Sequence, residues 1–219
     1  MSARPRLRDP VNGLTHAVGA VLALIVLGAL TIAAGQAGKP THVVSFAVFG
    51  ASLVALYASS ALYHLLPLAP AGVARLRLLD HAMIYILIAG TYTPVCLIAL
   101  QGGARWGLLS VVWSLAVLGA TLKLGWRALP RWLSTVFYVL MGWCALGAAP
   151  WLLRMVPAGA LWWIVAGGVA YTAGACVYAL RRPTLIRGVI ESHELWHLFV
   201  LLGSACHVWA MLRYIAPLP

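Results

Sequence analysis

Residues 17–34 read AVGAVLALIVLGALTIAA, from Ala17 to Ala34 without a single charged side chain. A helix of about 20 such residues crosses the ~30 Å hydrocarbon core of a bilayer. In lipid the backbone must satisfy its own hydrogen bonds, so a run this apolar is a helix and not an open strand. Arg4, Arg6 and Arg8 stand before the run and Ala33-Ala34-Gly35 closes it, which imitates a cleavable leader. The run exceeds the apolar core of a leader, however, and six comparable runs follow it. It reads as a retained first span.

Seven segments reach spanning length, at about 11–34, 43–66, 79–100, 106–124, 132–151, 159–180 and 193–214. Turn chemistry separates them: Gly35 to Pro40, Pro67 to Gly72, Gly102-Gly103, Pro130, Pro157 and Pro183. Only 9% of the chain is charged and 63% is hydrophobic, and the mean hydropathy is +0.94. A soluble domain carries about 25% charged residues to cover its surface, so lipid must cover most of this one. The expectation is an all-α integral membrane bundle forming one domain over residues 1–219, with the bilayer as its partner. No internal repeat is evident. Gly167, Gly168 and Gly174 suit close helix packing in the sixth span.

The formal net charge of +11 is distributed in short clusters between the spans. A nucleic-acid groove would need a continuous basic face on a soluble domain, so nucleic acid is excluded. Arg4, Arg6, Arg8, Arg75, Arg77, Lys123, Arg127, Arg131, Arg181, Arg182 and Arg187 fall on one side, and Lys39, Arg105, Arg154 and Arg213 on the other. Eleven against four, with the bias repeated at every loop, puts the N-terminus in the cytoplasm and the C-terminus outside. Cys96, Cys144, Cys176 and Cys206 all lie inside apolar runs without Cys-x-x-Cys spacing and read as buried, inert thiols.

Ionisable groups inside a membrane are costly and point to function. The chain has four acids, Asp9, Asp80, Glu191 and Glu194, and seven histidines. The second span descends to end near His64, while the third and seventh begin near Asp80 and near His193 and His197. Three helices thus bring candidate ligands to one depth near the cytoplasmic face. His193 and His197 are spaced i, i+4 and project from one helical face, able to share a metal. His64 supplies a third imidazole. Three protein ligands with a fourth position open is the pattern of catalytic zinc, which lowers the pKa of its water towards ~7. Asp80 could hold that water, act as general base or bind the metal directly. Ser60, one helical turn before His64, could orient the carboxylate, the water or a substrate oxygen.

Of the remaining histidines, His42 and His207 read as packing groups, and His16 and His81 as packing groups or as supports behind the ligands. His207 lies ten residues beyond His197, roughly 15 Å along the helix, too far to join the same ion. His42 lies at the other end, His81 stands roughly 100° from Asp80 on the helical wheel, and His16 has the right depth but no spacing partner. His193-Glu194-Leu195-Trp196-His197 spells H-E-x-x-H, the zinc-protease signature in which Glu194 would be the base. The metzincin extension fails, because Gly203 stands six residues beyond His197. The pentapeptide argues for zinc more than for proteolysis.

The motifs Asn12-Gly13-Leu14-Thr15-His16, Ser60-Ala61-Leu62-Tyr63-His64, Leu79-Asp80-His81, Ala89-Gly90-Thr91-Tyr92-Thr93-Pro94 and Met141-Gly142-Trp143 occur in this order, followed by the run His193 to His207. In them the whole chain resembles the bacterial hemolysin III family, related to the progestin and adiponectin receptors and more distantly to alkaline ceramidases. The resemblance implies seven helices in a bacterial inner membrane and a zinc held by His64, His193 and His197. Asp80 would then stand beside a water on the zinc, with Ser60 nearby. Relatives usually carry Glu before the Asn of the first motif, where this chain has Asp9 and Pro10. Several receptor relatives lack an acid at the position of Glu194, which counts against an essential base there.

The expected activity is hydrolysis of a lipid amide or ester bond, with water activated at zinc and Asp80 as base. The alternatives are a membrane sensor or regulator with structural zinc, closed by direct Asp80 coordination, and a cytolysin, as the family name suggests. No span shows a polar stripe fit to line a water channel, which disfavours the last.

Overall fold

The computed structural model describes residues 7–125, 130–186 and 189–219. Arg4, Arg6, Arg127 and Arg187 of the charge count lie outside the described residues. Helix α1 spans Pro10–Gln36, α2 Pro40–Leu65 and α3 Pro70–Pro94, the last continuing in a π-turn over Val95–Ala99. Helix α4 is Gly102–Gly125; α5, Arg131–Gly142, is followed by a 3₁₀ turn and α6, Ala149–Met155; α7 is Ala158–Leu180 and α8 is Ser192–Ala210, with a final π-turn over Met211–Ile215. Seven of the resulting helical rods are long and apolar enough to cross a membrane, α5 and α6 together making the fifth. The chain is a multi-pass membrane protein.

Proline starts the first three helices, at Pro10, Pro40 and Pro70. Its fixed φ suits the first helical turn and its missing N–H is not needed there. Helices adjacent in sequence pack together, and α1 also touches α8, which closes the bundle. The third span is the central one: 67% of its most apolar stretch is buried, against 22% for the first. Tyr85, Phe46, Phe49, Leu53, Val112 and Met141 fill the interior, while Leu14, Ile25, Trp162 and Leu153 lie exposed on the outer face, where lipid replaces water as solvent.

Two span readings are corrected. The third helix begins at Pro70 and not near residue 79. Arg75 and Arg77 had marked a loop, but no breaker separates Gly72 from Leu79, and long arginine side chains can reach the interface from a helix. The fifth span is broken between Gly142 and Ala149. Tyr92 of α3 compensates the break: its hydroxyl donates to the Gly142 carbonyl at 2.5 Å and accepts from the Ala145 N–H at 3.0 Å. Such freed backbone groups are tolerated in a membrane only where protein re-satisfies them. The four cysteines are free, but only Cys96 and Cys206 are buried; Cys144 is half-buried and Cys176 exposed, so the expectation of uniformly buried thiols fails. The packing role of glycine holds at two positions. A Cβ on Gly174 would lie 2.6 Å from Phe199 Cβ, and one on Gly167 2.4 Å from the His207 ring.

Candidate metal centre

The end of α2 and the start of α8 meet at the same end of the bundle as the start of α1. His64 stands in the last turn of α2, and His193 and His197 in the first two turns of α8. One ligand atom from each of His64, His193 and His197 lies within 4.8 Å of the others. His64 and His197 are buried and His193 half-buried. The ring centroids form a nearly equilateral triangle, 5.1 Å from His64 to His193, 4.9 Å from His64 to His197 and 4.8 Å from His193 to His197.

The chemistry of these atoms fits a metal. Nδ1–H of His64 donates to Asp9 Oδ2 at 2.8 Å, and an ionised carboxylate can only accept, so the proton sits on Nδ1. Nε2 of His64 is then a bare lone pair, and it faces Nε2 of His193 at 3.3 Å. Two imidazole nitrogens each about 2.05 Å from a tetrahedral zinc would stand about 3.3 Å apart. A buried three-histidine group that could hold a metal ion is therefore present.

Asp80 and Ser60 do not belong to the three-ring cluster but line a common cavity with His193 and His197. The His64 ring and the Ser60 hydroxyl lie near the Asp80 carboxylate. Among the described residues the Ser60 hydroxyl, 1% exposed, has no partner at hydrogen-bonding distance. The cavity has a volume of about 410 Å³ and a mainly apolar wall, including Leu56, Ile84, Ile88 and Val200.

His16 stacks on His197 with ring centroids 3.7 Å apart and 14° between planes, and meets Tyr57 edge-on. It supports the His197 ring from its face. His81 Nδ1–H donates to the Arg77 carbonyl at 2.7 Å and its other nitrogen faces the Tyr178 hydroxyl; the residue also lines the cavity. His207 Nδ1–H donates to the Gly203 carbonyl at 2.8 Å and lies outside the cluster, although it lines the deeper part of the cavity. His42 is buried near the opposite end, against Phe46.

Glu194, the acid of H-E-x-x-H, accepts from Asn12 Nδ2 at 2.6 Å through Oε1 and from the Glu191 N–H at 2.8 Å through Oε2. The second contact belongs to a capping box at the start of α8. Both oxygens are thus engaged in holding elements together. The structure puts Asp9 against His64 and against Asn12 Nδ2 at 2.9 Å. Burial raises the Asp9 carboxyl, but the hydrogen bonds of His64 and Asn12 outweigh it and hold the pKa below its ordinary value. The available signal was scarcity: Asp9 is one of only four acids in the chain.

Residues 6–208 match the haemolysin-III-related family. Hemolysin-3 of Bacillus cereus is 36% identical over 206 residues, covering 94% of this chain and 91% of that protein. The Hemolysin-3 homolog of Bacillus subtilis is 35% identical over 208 residues, covering 95% and 94%. More distantly, the human monocyte to macrophage differentiation factor is 23% identical over 173 residues, covering 77% of this chain and 69% of that one. With its seven spans and its cluster of histidines, this chain belongs to the haemolysin-III-related family.

Proposed function

We propose that the chain is a zinc-dependent hydrolase that cleaves an amide or ester bond of a membrane lipid. The observation that carries the reading is one cavity of about 410 Å³ whose wall combines His193 and His197 of the cluster, Asp80 and Ser60 with an otherwise apolar lining. Such a space suits an acyl chain at one end and a polar linkage at the other. An all-imidazole donor set suits zinc among a few transition metals, and three protein ligands leave a position open for reaction.

When bound, zinc supplies Lewis-acid polarisation of a carbonyl and makes water acidic enough to act near neutral pH. His64, His193 and His197 hold the ion. Asp80 takes the proton of the attacking water as the water oxygen bonds to the carbonyl carbon. The C–N or C–O bond then breaks, and the proton passes from Asp80 to the leaving nitrogen or oxygen. The products are a fatty acid and an amine or alcohol. Ser60 orients the carboxylate or the substrate oxygen, and the apolar wall holds the chain and excludes bulk water.

The charge pattern supports a site at the cytoplasmic face of a bacterial inner membrane, with the N-terminus inside and the whole chain acting as one domain. The test is fatty-acid release from a broad panel of amide- and ester-linked lipids by the purified, zinc-loaded protein. Release by wild type that Asp80→Asn abolishes while keeping its zinc supports the reading. No release from any lipid by zinc-loaded protein sinks it in favour of a sensor or regulator with structural zinc.

A further inference from the structure

Asp9 occupies the N-cap of α1, yet its side chain makes no capping hydrogen bond. An aspartate at this position ordinarily accepts from the backbone N–H groups of the first turn. Here Oδ2 accepts from His64 Nδ1 at 2.8 Å and from Asn12 Nδ2 at 2.9 Å. The segment that carries the carboxylate is itself pinned to the end of α2. The Asp9 N–H donates to the His64 carbonyl at 2.9 Å and the Arg8 N–H to the Leu65 carbonyl at 3.4 Å. The Arg8 guanidinium donates to the Tyr63 carbonyl and lies 4.3 Å over the Tyr63 ring. From the other side, the Asn12 amide reaches Glu194 of α8 at 2.6 Å.

We propose that Asp9 is a positioning residue of the metal centre, fixing the His64 ring so that Nε2 faces the ion, and that Asn12 ties this carboxylate to α8 through Glu194. The inference rests on the metal reading of the three histidines. A carboxylate on the far nitrogen of a ligating histidine fixes the tautomer, sets the ring plane and makes the ligand more basic. The bridge Asp9–Asn12–Glu194 links α1 to the helix that carries the other two ligands, so the three rings are held in register from behind. It also gives the acid of H-E-x-x-H a mechanical task. Glu194 braces the site, and general-base chemistry falls to another group.

The test is zinc affinity of the purified full chain, measured by chelator competition for wild type, Asp9→Asn, Asp9→Glu and Asn12→Ala, with His197→Ala as the ligand-loss control. Loss of such a partner costs about 10–100-fold in metal affinity. Asp9→Asn is expected to weaken zinc by that factor, Asn12→Ala to weaken it by less, and Asp9→Glu to recover most of the loss. Cobalt-substituted Asp9→Asn should show a shifted visible d–d spectrum, which a purely structural role would leave unmoved. Unchanged affinity and spectrum in whichever of Asp9→Asn and Asn12→Ala folds overturns the proposal while leaving the metal centre standing. Wild type that binds no zinc overturns both.

Discussion

Within the cluster, His197 is stacked on His16 at 3.7 Å and edge-on to His64 at 4.9 Å. His207, on the same helix, donates to the Gly203 carbonyl and lies roughly 15 Å further along the axis. His207→Ala should therefore keep a full complement of zinc in elemental analysis; loss of the metal would show that the ion sits deeper than the three-ring cluster. Asp80 faces the cavity without joining the rings. Asp80→Asn should retain zinc and lose lipid hydrolysis by at least ~100-fold, the size of a general acid–base contribution; if zinc is lost instead, Asp80 is a ligand. The three rings were legible from the sequence because i, i+4 spacing fixes a shared face and span counting fixes depth. Asp9 was not, since its bond to His64 joins residues far apart in the chain and no local pattern marks it. The stacking of His16 on His197 was hidden for the same reason. Depth put His16 at the right level, but only tertiary packing sets one ring against another.

Helix contacts in this bundle depend on places where a side chain is missing. A Cβ at Gly174 would lie 2.6 Å from Phe199 Cβ and 3.0 Å from the Trp196 ring, so α7 and α8 approach through this glycine. Gly28 in α1 has nothing within 4 Å of the same position. Gly174→Ala should destabilise the protein by about 1–3 kcal/mol through overpacking, whereas Gly28→Ala should be neutral or stabilising by up to about 1 kcal/mol through reduced backbone freedom. Thermal unfolding in detergent checks the pair, and equal melting temperatures would contradict the packing account. The apolar runs made six of the seven spans readable as single helices. The break in the fifth was not readable, because the group that stabilises it, the Tyr92 hydroxyl, comes from α3. The start of the third helix differs because Arg75 and Arg77, placed in the loop before it by their charge, lie within the helix, where their long stems can reach the interface.

At the scale of the whole molecule, the charge asymmetry of the sequence predicts that the histidine cluster lies near the cytoplasmic face. A fluorescent protein fused before residue 1 should fluoresce in intact bacteria, and alkaline phosphatase fused after Pro219 should be active; the reverse pattern would put the cluster at the outer face. The cluster joins α2 to α8, and Asp9 and Asn12 join α1 to both. A ligand that binds the folded state alone stabilises it by mass action. Removal of metal with a chelator should therefore lower the melting temperature of wild type and leave that of His197→Ala unmoved. The most direct test of the metal centre is elemental analysis of purified wild type beside His197→Ala. About one zinc per chain in wild type, and little or none in the variant, is the predicted result for a site with three protein ligands. Wild type without a transition metal, or a variant that keeps its zinc, would contradict the centre on which the proposed chemistry depends.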